Sequence, residues 1–451
     1  DVYKHRWWHN LVRNCQWNRD GLTMTIERRL LGTTASGGES YWWSRVASSG
    51  NDWSPAVAVG YESDIYTAGE SHFGGLGFFI TKHDKEGALI WQKKMNGGTT
   101  TDFAKGLALD SSDNIFIVGD ASVVNTGGKY VAKFNSAGTM QWQKSFTDGK
   151  NTSITVDSSG NLFILGRSYP EYEVAKLNSS GTVQWQKTFS GLSSAGGSQP
   201  RFITLDSSGN IYGCGSFFNP NYGWRAYIFK LNSSGTLQWD KQINTSSTEN
   251  TTVGYKVVFD SSNNVYFVGC LSTNPASAFL VKYNSSGTQQ WIKRYYTGVS
   301  GSGIFLHSVA IDDDSLYLTG TYQAAGSDVK MLLMSVDYSG DINWSRSFGD
   351  STENLGQDIT TDGDAVIVTG YVEEGNGSYA KNRIVLRVPK DGSLTGTYGG
   401  YTYASISLNS DTATSTFSFG ATESTYSNST QTANLTVASS SFTTTLQAIE
   451  E

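Results

Sequence analysis

Cysteine is the first scarcity. Cys15, Cys214 and Cys270 form an odd set of three in 451 residues, with no metal-type spacing. No disulfide framework therefore holds the chain, and three free thiols are expected. Histidine is nearly as rare: His5, His9, His72, His83 and His307 show no paired spacing of the kind that metals need. No run of eighteen apolar residues exists, which excludes a transmembrane helix, and no signal-peptide pattern stands at the start. A chain that begins at Asp1 without Met is read as processed, or as the ordered part of something longer. Net charge is −7, so nothing suggests a general affinity for nucleic acid. Nucleophile elbow, phosphate loop and His-Glu zinc helix are all missing. Proline is scarce at six, whereas Ser, Thr, Gly and Asn abound and aromatics reach 13%. This composition agrees with an extracellular or virion β protein, and 451 residues are chain enough for a large core.

What is present is a repeat. Trp43, Trp91, Trp142, Trp185, Trp239, Trp291 and Trp344 recur at intervals of 43 to 54 residues. Between them runs a second marker, an apolar strand, a tight turn and another strand ending in Gly, such as ITLDSSGNIYGCG to Gly215. Periods near fifty mean propellers, solenoids or arrays. Each unit reads as four short strands with period-two alternation; in the fourth these are Phe202 to Leu205, Ile211 to Gly215, Ala226 to Leu231 and Thr236 to Gln242. We label them A to D from the channel outward. A to B and C to D are joined by turns such as DSSGN and NSSGT, where Asp or Asn bonds its own backbone and Gly takes positive φ. One antiparallel meander cannot bury both faces, but several arranged radially can. The fold expected is all-β: a seven-bladed β-propeller of four-stranded antiparallel blades over residues 41–398. The D-strand tryptophans fill the wedges between blades.

Ring closure is legible too. KDGSLTGT aligns with NSSGTLQW and places Gly396 where Trp should stand, so the last unit lacks its own strand D. WWSRV at 42–46 matches NWSRS at 343–347. Trp43 and its strand are expected to complete blade seven.

The turn phrase, with VAKFNSAGTMQW at 131 and VAKLNSSGTVQW at 174, resembles the SBBP β-propeller repeat of secreted bacterial proteins. The resemblance covers residues 42 to about 398 and implies the fold, not an activity. Together with the Ser/Thr-rich tail, it is also similar in style to structural proteins of tailed-bacteriophage virions. That similarity implies a tail or tail-fibre component; a secreted or surface adhesion protein is the alternative.

Two segments flank the ring. Residues 1–40 carry Lys4, Arg6, Arg13, Arg19, Arg28 and Arg29 with Trp7, Trp8 and Trp17. Arg and aromatics are enriched at interfaces, so this is a candidate docking arm, with Trp7, Trp8, Arg13, Trp17, Arg28 and Arg29 as its contacts. An arm folded on its own propeller is the other reading. Residues 399–451 form a β extension or stem: 23 of the 51 residues from 401 onward are Ser or Thr, with alternating stretches such as STFSFG. A glycosylated stalk is the alternative.

Candidate chemistry is thin. Asp110, Asp157, Asp206, Asp260 and Asp312 recur at the end of strand A; calcium would need six to eight converging oxygens, so these are assigned to capping their own turns. The NSSGTVQW segments resemble sialidase Asp-boxes but have Ser180, Ser234 and Ser286 at the Asp position. A carbohydrate-active enzyme with paired carboxylates is accordingly the last-ranked reading. Asn178, Asn232 and Asn284 sit in glycosylation triplets that the turn phrase itself generates. His307 enters strand A of blade six near the channel and is read as structural. The chain is expected to be no enzyme and to carry no cofactor and no metal. Partners are sought among virion or surface proteins and a host-surface glycan, within an oligomeric assembly. The B-to-C and D-to-A loops vary and share one face. There Phe217, Phe218, Tyr222 and Trp224, beside Tyr169 and Tyr172, offer a candidate aromatic ligand site.

Overall fold

The recurrent turn dictates the local structure. In a computed structural model, Asp110 Oδ1 accepts the backbone N–H groups of Ser112 and Asn114, both at 3.0 Å. Asp157, Asp206 and Asp260 repeat the same pair of bonds. Asn178, Asn232 and Asn284 do likewise in the C-to-D turns. The carboxylates cap hairpins, as their position in the phrase requires. The structure describes residues 15–19, 22–33, 40–47, 53–71, 77–95, 103–121, 128–147, 149–168, 171–189, 197–219, 223–243, 251–272, 275–373, 381–398, 401–412, 430–432 and 437–438.

Seven antiparallel sheets follow, one per repeat. Blades one to six span 53–95, 103–147, 150–189, 198–243, 252–296 and 303–349, and blade seven begins at 354–389. In blade four the strands are Ser198–Leu205, Ile211–Asn219, Gly223–Leu231 and Leu237–Ile243, longer at the loop ends than the alternation alone suggests. Strands B and C are almost wholly buried, and successive blades share apolar clusters such as that of Tyr212, Ile228, Val257, Phe267 and Phe279 between blades four and five.

Blade seven is closed as the repeat alignment requires. Ser40–Ala47 pairs antiparallel with Lys381–Pro389. The equivalence of the two tryptophans is corrected by one residue. Trp42 lies opposite Arg387, as Trp344 lies opposite Ser335 and Trp91 opposite Lys82. Trp42 also lies under the C-to-D turn of blade one, where its Nε1–H donates to Lys85 O at 2.9 Å. The Trp344 indole donates to Lys390 O at 2.8 Å in the same way. Trp43 points to the opposite face, into the cluster between blades six and seven, edge-on to Tyr401 at 5.3 Å. A one-residue slip exchanges the faces of a strand, and two adjacent tryptophans conceal that slip.

The turn glycine explains what the tryptophans do. Gly87 takes φ +84°, and a Cβ there would lie 2.3 Å from the Trp42 ring. The same turn position, through to Gly392 on Trp344, packs against the strand D indole of the preceding blade. Only glycine satisfies both the conformation and the close approach. Trp91, Trp142, Trp185, Trp239, Trp291 and Trp344 are half-buried, so they seal the outer part of each wedge rather than its centre.

The flanking strands lie on the outer edges of the blades. Cys15–Arg19 and Leu22–Thr33 extend the blade seven sheet outward from Ser40–Ala47. After Pro389 the chain returns to blade six, where Gly396–Tyr398 and Tyr401–Ser405 add to Ile342–Gly349. Asn409–Thr412 then pairs with strand D of blade five, Thr430–Thr432 with that of blade three, and Val437–Ala438 with that of blade two. Each added strand covers backbone groups that an open edge would expose. Tyr401 and Tyr403 are buried, and Arg294 holds Asp411 at 2.8 Å.

Candidate functional site

Two of the six candidate aromatics of the loop face, Phe217 and Tyr172, are buried between blades. Strand B of blade four continues through Phe217, and the alternation turns that ring inward. Phe217 and Tyr172 are buried in the cluster between blades three and four, where Tyr172 Oη–H donates to Ser216 O at 2.9 Å. Phe218 and Trp224 face each other across strands B and C, edge-to-face at 5.8 Å and half-buried. Tyr169 and Tyr222 lie outside the described residues, as do Trp7, Trp8 and Arg13 of the arm. Trp17, Arg28 and Arg29 fall on the added strands of blade seven.

A different site appears on the ring axis. In blades two to seven strand A breaks register with strand B at one residue, giving a β-bulge at Lys105, Thr152, Arg201, Tyr255, His307 and Gln357. Blade one has a wider break, across Ser54 and Pro55, where proline's missing N–H leaves no ladder bond unmade. A bulge re-aims the side chain it carries. All six residues line one cavity of about 370 Å³ on the axis, with Glu70, Lys256 and Asp358. In blades two, three, four, five and seven the bulge lies in the half of strand A nearer the D-to-A loops.

The residue after each bulge joins neighbouring blades. Ser153 Oγ accepts Ile203 N–H and Ser308 Oγ accepts Ile359 N–H, both at 3.2 Å. At the closing junction Asp358 Oδ2 accepts Val57 N–H at 3.0 Å. Asp358 Oδ1 also takes the Lys256 ammonium at 2.6 Å and the Ser308 hydroxyl at 2.7 Å. Its lone pairs are thus committed to blades one, five and six. At blade two Gly106 stands where a Cβ would come 2.9 Å from Ser153 Cα, so this junction is made by close approach instead.

The bulge residues carry the chemistry. His307 Nδ1 lies 2.8 Å from Gly356 O; a carbonyl only accepts, so Nδ1 holds the proton. Burial pushes the His307 pKa below the usual imidazole range. The Tyr255 ring lies 5.1 Å from His307, and the Arg201 guanidinium sits 5.0 Å from its centroid. Burial, then the neighbouring Cys270 thiol, pushes the Tyr255 phenol up to about 12. Arg201 is exposed to the channel and donates to Gln199 Oε1 at 3.1 Å. Among the described residues no group of three or more His, Cys, Asp and Glu could hold a metal ion, and Cys214 and Cys270 are free and buried.

Sequence reading singled out only His307 of this ring. The available signal was a column of the repeat in which Lys, Thr, Arg, Tyr, His and Gln replace one another while the apolar residue two places on stays apolar: Leu107, Ile154, Ile203, Val257, Val309 and Ile359.

A sequence profile of the family described as outer membrane protein assembly factor BamB matches residues 77–346. No curated protein matches the chain. Among solved structures, a protein from Lactobacillus plantarum is 14% identical, with 76% of this chain and 99% of that one covered and a TM-score of 0.47. The WD40 repeats of RRP9 are 10% identical over 80% of this chain and 97% of theirs, with a TM-score of 0.47. A putative 6-phosphogluconolactonase from Bacteroides fragilis is 14% identical over 71% and 92%, with a TM-score of 0.42.

Proposed function

The chain belongs to the family described as outer membrane protein assembly factor BamB, and from that premise we propose that it is a non-enzymatic interaction module whose binding surface centres on the channel. One observation carries this reading. Turn glycines and wedge tryptophans repeat from blade to blade, whereas the residues aimed into the channel all differ. A scaffold held constant around one varied ring is what selective binding needs. The setting of Asp358 supports a structural role over a catalytic one: its carboxylate oxygens are taken up by groups of blades one, five and six.

The setting we propose is a virion tail or tail fibre, supported by the repeat phrase and the Ser/Thr-rich C-terminal region, with the strands of residues 15–33 as the docking arm. Hydroxyl-radical footprinting of the native particle tests this. Protection should fall on the D-to-A and B-to-C loop face and on residues 15–33. Protection confined to the A-to-B and C-to-D turns would overturn the assignment of the binding face. Hydrolysis of a polysaccharide by the purified chain would overturn the non-enzymatic reading, and recovery from a culture supernatant free of virions would overturn the setting.

A further inference from the structure

The C-terminal strands step round the ring at a regular pitch. Each pairs antiparallel with the same stretch of a strand D, two to five residues after its tryptophan. The residue three after the tryptophan lies opposite Ala404 in blade six, Asp411 in blade five, Gln431 in blade three and Ala438 in blade two. Neighbouring blades are thus seven residues apart along this part of the chain, from Ala404 to Asp411 and again from Gln431 to Ala438. The longer interval from Asp411 to Gln431 passes blade four. Blade one comes next, and the wrap ends there because Leu22–Thr33 already covers the outer edge of blade seven. Among the described residues blade one has only its own four strands. Its strand D, Leu89–Met95, also departs from the others at one position. Blades two to five place Gln141, Gln184, Gln238 and Gln290 directly before the tryptophan, each donating its amide to a carbonyl of its own turn. Blade one has Ile90 there, 50% exposed.

We propose that the outer edge of blade one is a strand-accepting surface and that its occupant is the chain's own C-terminal segment, residues 444–450, added antiparallel to Leu89–Met95. Residues 439–451 lie outside the described residues, and these thirteen follow directly on Ala438, which is held at the neighbouring blade two. One more pitch of seven sets Thr445 opposite Lys94, the residue three after Trp91. The same antiparallel register, followed to the start of the strand, sets Ile449 opposite Ile90. Directly opposite residues share a face of the sheet, so one isoleucine covers the other. The sequence TTTL at 443–446 has the β-branched character that an added strand favours. An apolar side chain on an uncovered edge invites a foreign strand, and the segment that lies within reach closes that edge.

Disulfide trapping in the full chain tests this, in a Cys15→Ser background where only the buried Cys214 and Cys270 remain. Ile90→Cys combined with Ile449→Cys should form an intramolecular disulfide on mild oxidation, because directly opposite strand residues have the Cα separation that a disulfide needs. Two control pairs should give roughly tenfold less: Ile90→Cys with Ala448→Cys, which a strand turns to the other face, and Gln238→Cys on blade four with Ile449→Cys. Equal yields from all three pairs, or no link between positions 90 and 449, would overturn the inference. A link found only between two copies would assign the edge to a second chain and overturn the occupant. A second measurement needs no cysteine. With Thr444→Pro and Thr445→Pro, which remove two donors from the added ladder, the amides of Leu89–Met95 should exchange with deuterium roughly tenfold faster, while those of Leu237–Ile243 in blade four keep their rates. Unchanged exchange in Leu89–Met95 would overturn the proposal.

Discussion

Lys256 Nζ lies 2.6 Å from Asp358 Oδ1 and so binds blade five to blade seven, with the Ser308 hydroxyl of blade six on the same oxygen at 2.7 Å. Both side chains are nearly buried, and Asp358 additionally accepts Val57 N–H from blade one. Removing the carboxylate strands three donors. Asp358→Ala is expected to cost about 2–3 kcal/mol and Lys256→Ala about 1 kcal/mol. Urea unfolding of the singles and the double should show a coupling of at least about 0.5 kcal/mol; strict additivity would mean the pair contributes nothing as a pair.

The tryptophan that closes the ring is Trp42, and its partner is the turn glycine of blade one. Trp42→Ala should cost about 3–5 kcal/mol. Gly87→Ala should destabilise through both its positive φ and its collision with the indole. In the Trp42→Ala background only the backbone part remains, so thermal unfolding should show Gly87→Ala costing measurably less there. An equal cost in both backgrounds would show that the indole does not constrain the turn.

His307 sets a pH dependence. Burial holds its pKa in the folded state below the unfolded value of about 6.5. Between those two values the unfolded chain binds more protons than the folded one, so stability rises with pH across this window. The contribution is complete above the unfolded value and is lost as pH falls through the folded one. Denaturant midpoints of His307→Gln, measured from pH 8 to 5, should decline less steeply than wild type. Parallel curves would remove His307 as the source.

The buried thiols should be silent. Burial pushes Cys214 well up and Cys270 up to about 11, so neither forms an appreciable thiolate near neutrality. In a Cys15→Ser background, a thiol reagent at pH 7.5 should find no reactive group in the native protein and two after denaturation. Rapid labelling of either residue in the native state would contradict the packing between blades.

Much of the fold was legible because its signals are local. An Asp-Ser-Ser-Gly-Asn turn carries its own hydrogen bonds, and alternation marks strands on either side of it. Closure by residues 42–46 could be read because a degenerate unit at Gly396 left a vacancy that only one other segment matched. The choice between Trp42 and Trp43 could not, since identical neighbours carry no face information. Phe217 was misplaced because strand B outlasts its glycine, and the extra residues restore the inward face. The channel ring stayed hidden for a related reason: a bulge adds one residue to the count, so at that residue alternation stops reporting which way a side chain points. Strand character beyond residue 399 was legible from alternation, but the blade edge that each strand joins was not, since pairing through backbone groups needs no distinctive side chain.

The closing strand has a consequence for how the molecule is made. Residues 42–46 emerge from the ribosome before any complete blade, yet their partner, Lys381–Pro389, emerges after six blades are finished. Until then the ring is an open arc, with two unpaired strand edges and Trp42 and Trp43 exposed, and contacts this distant in sequence form late and slowly. Strands from Tyr401 onward are synthesised last, and their places on the perimeter start at blade six and run back against the order of synthesis. A chain terminated before Tyr401 therefore leaves the outer edges of blades two, three, five and six without these strands.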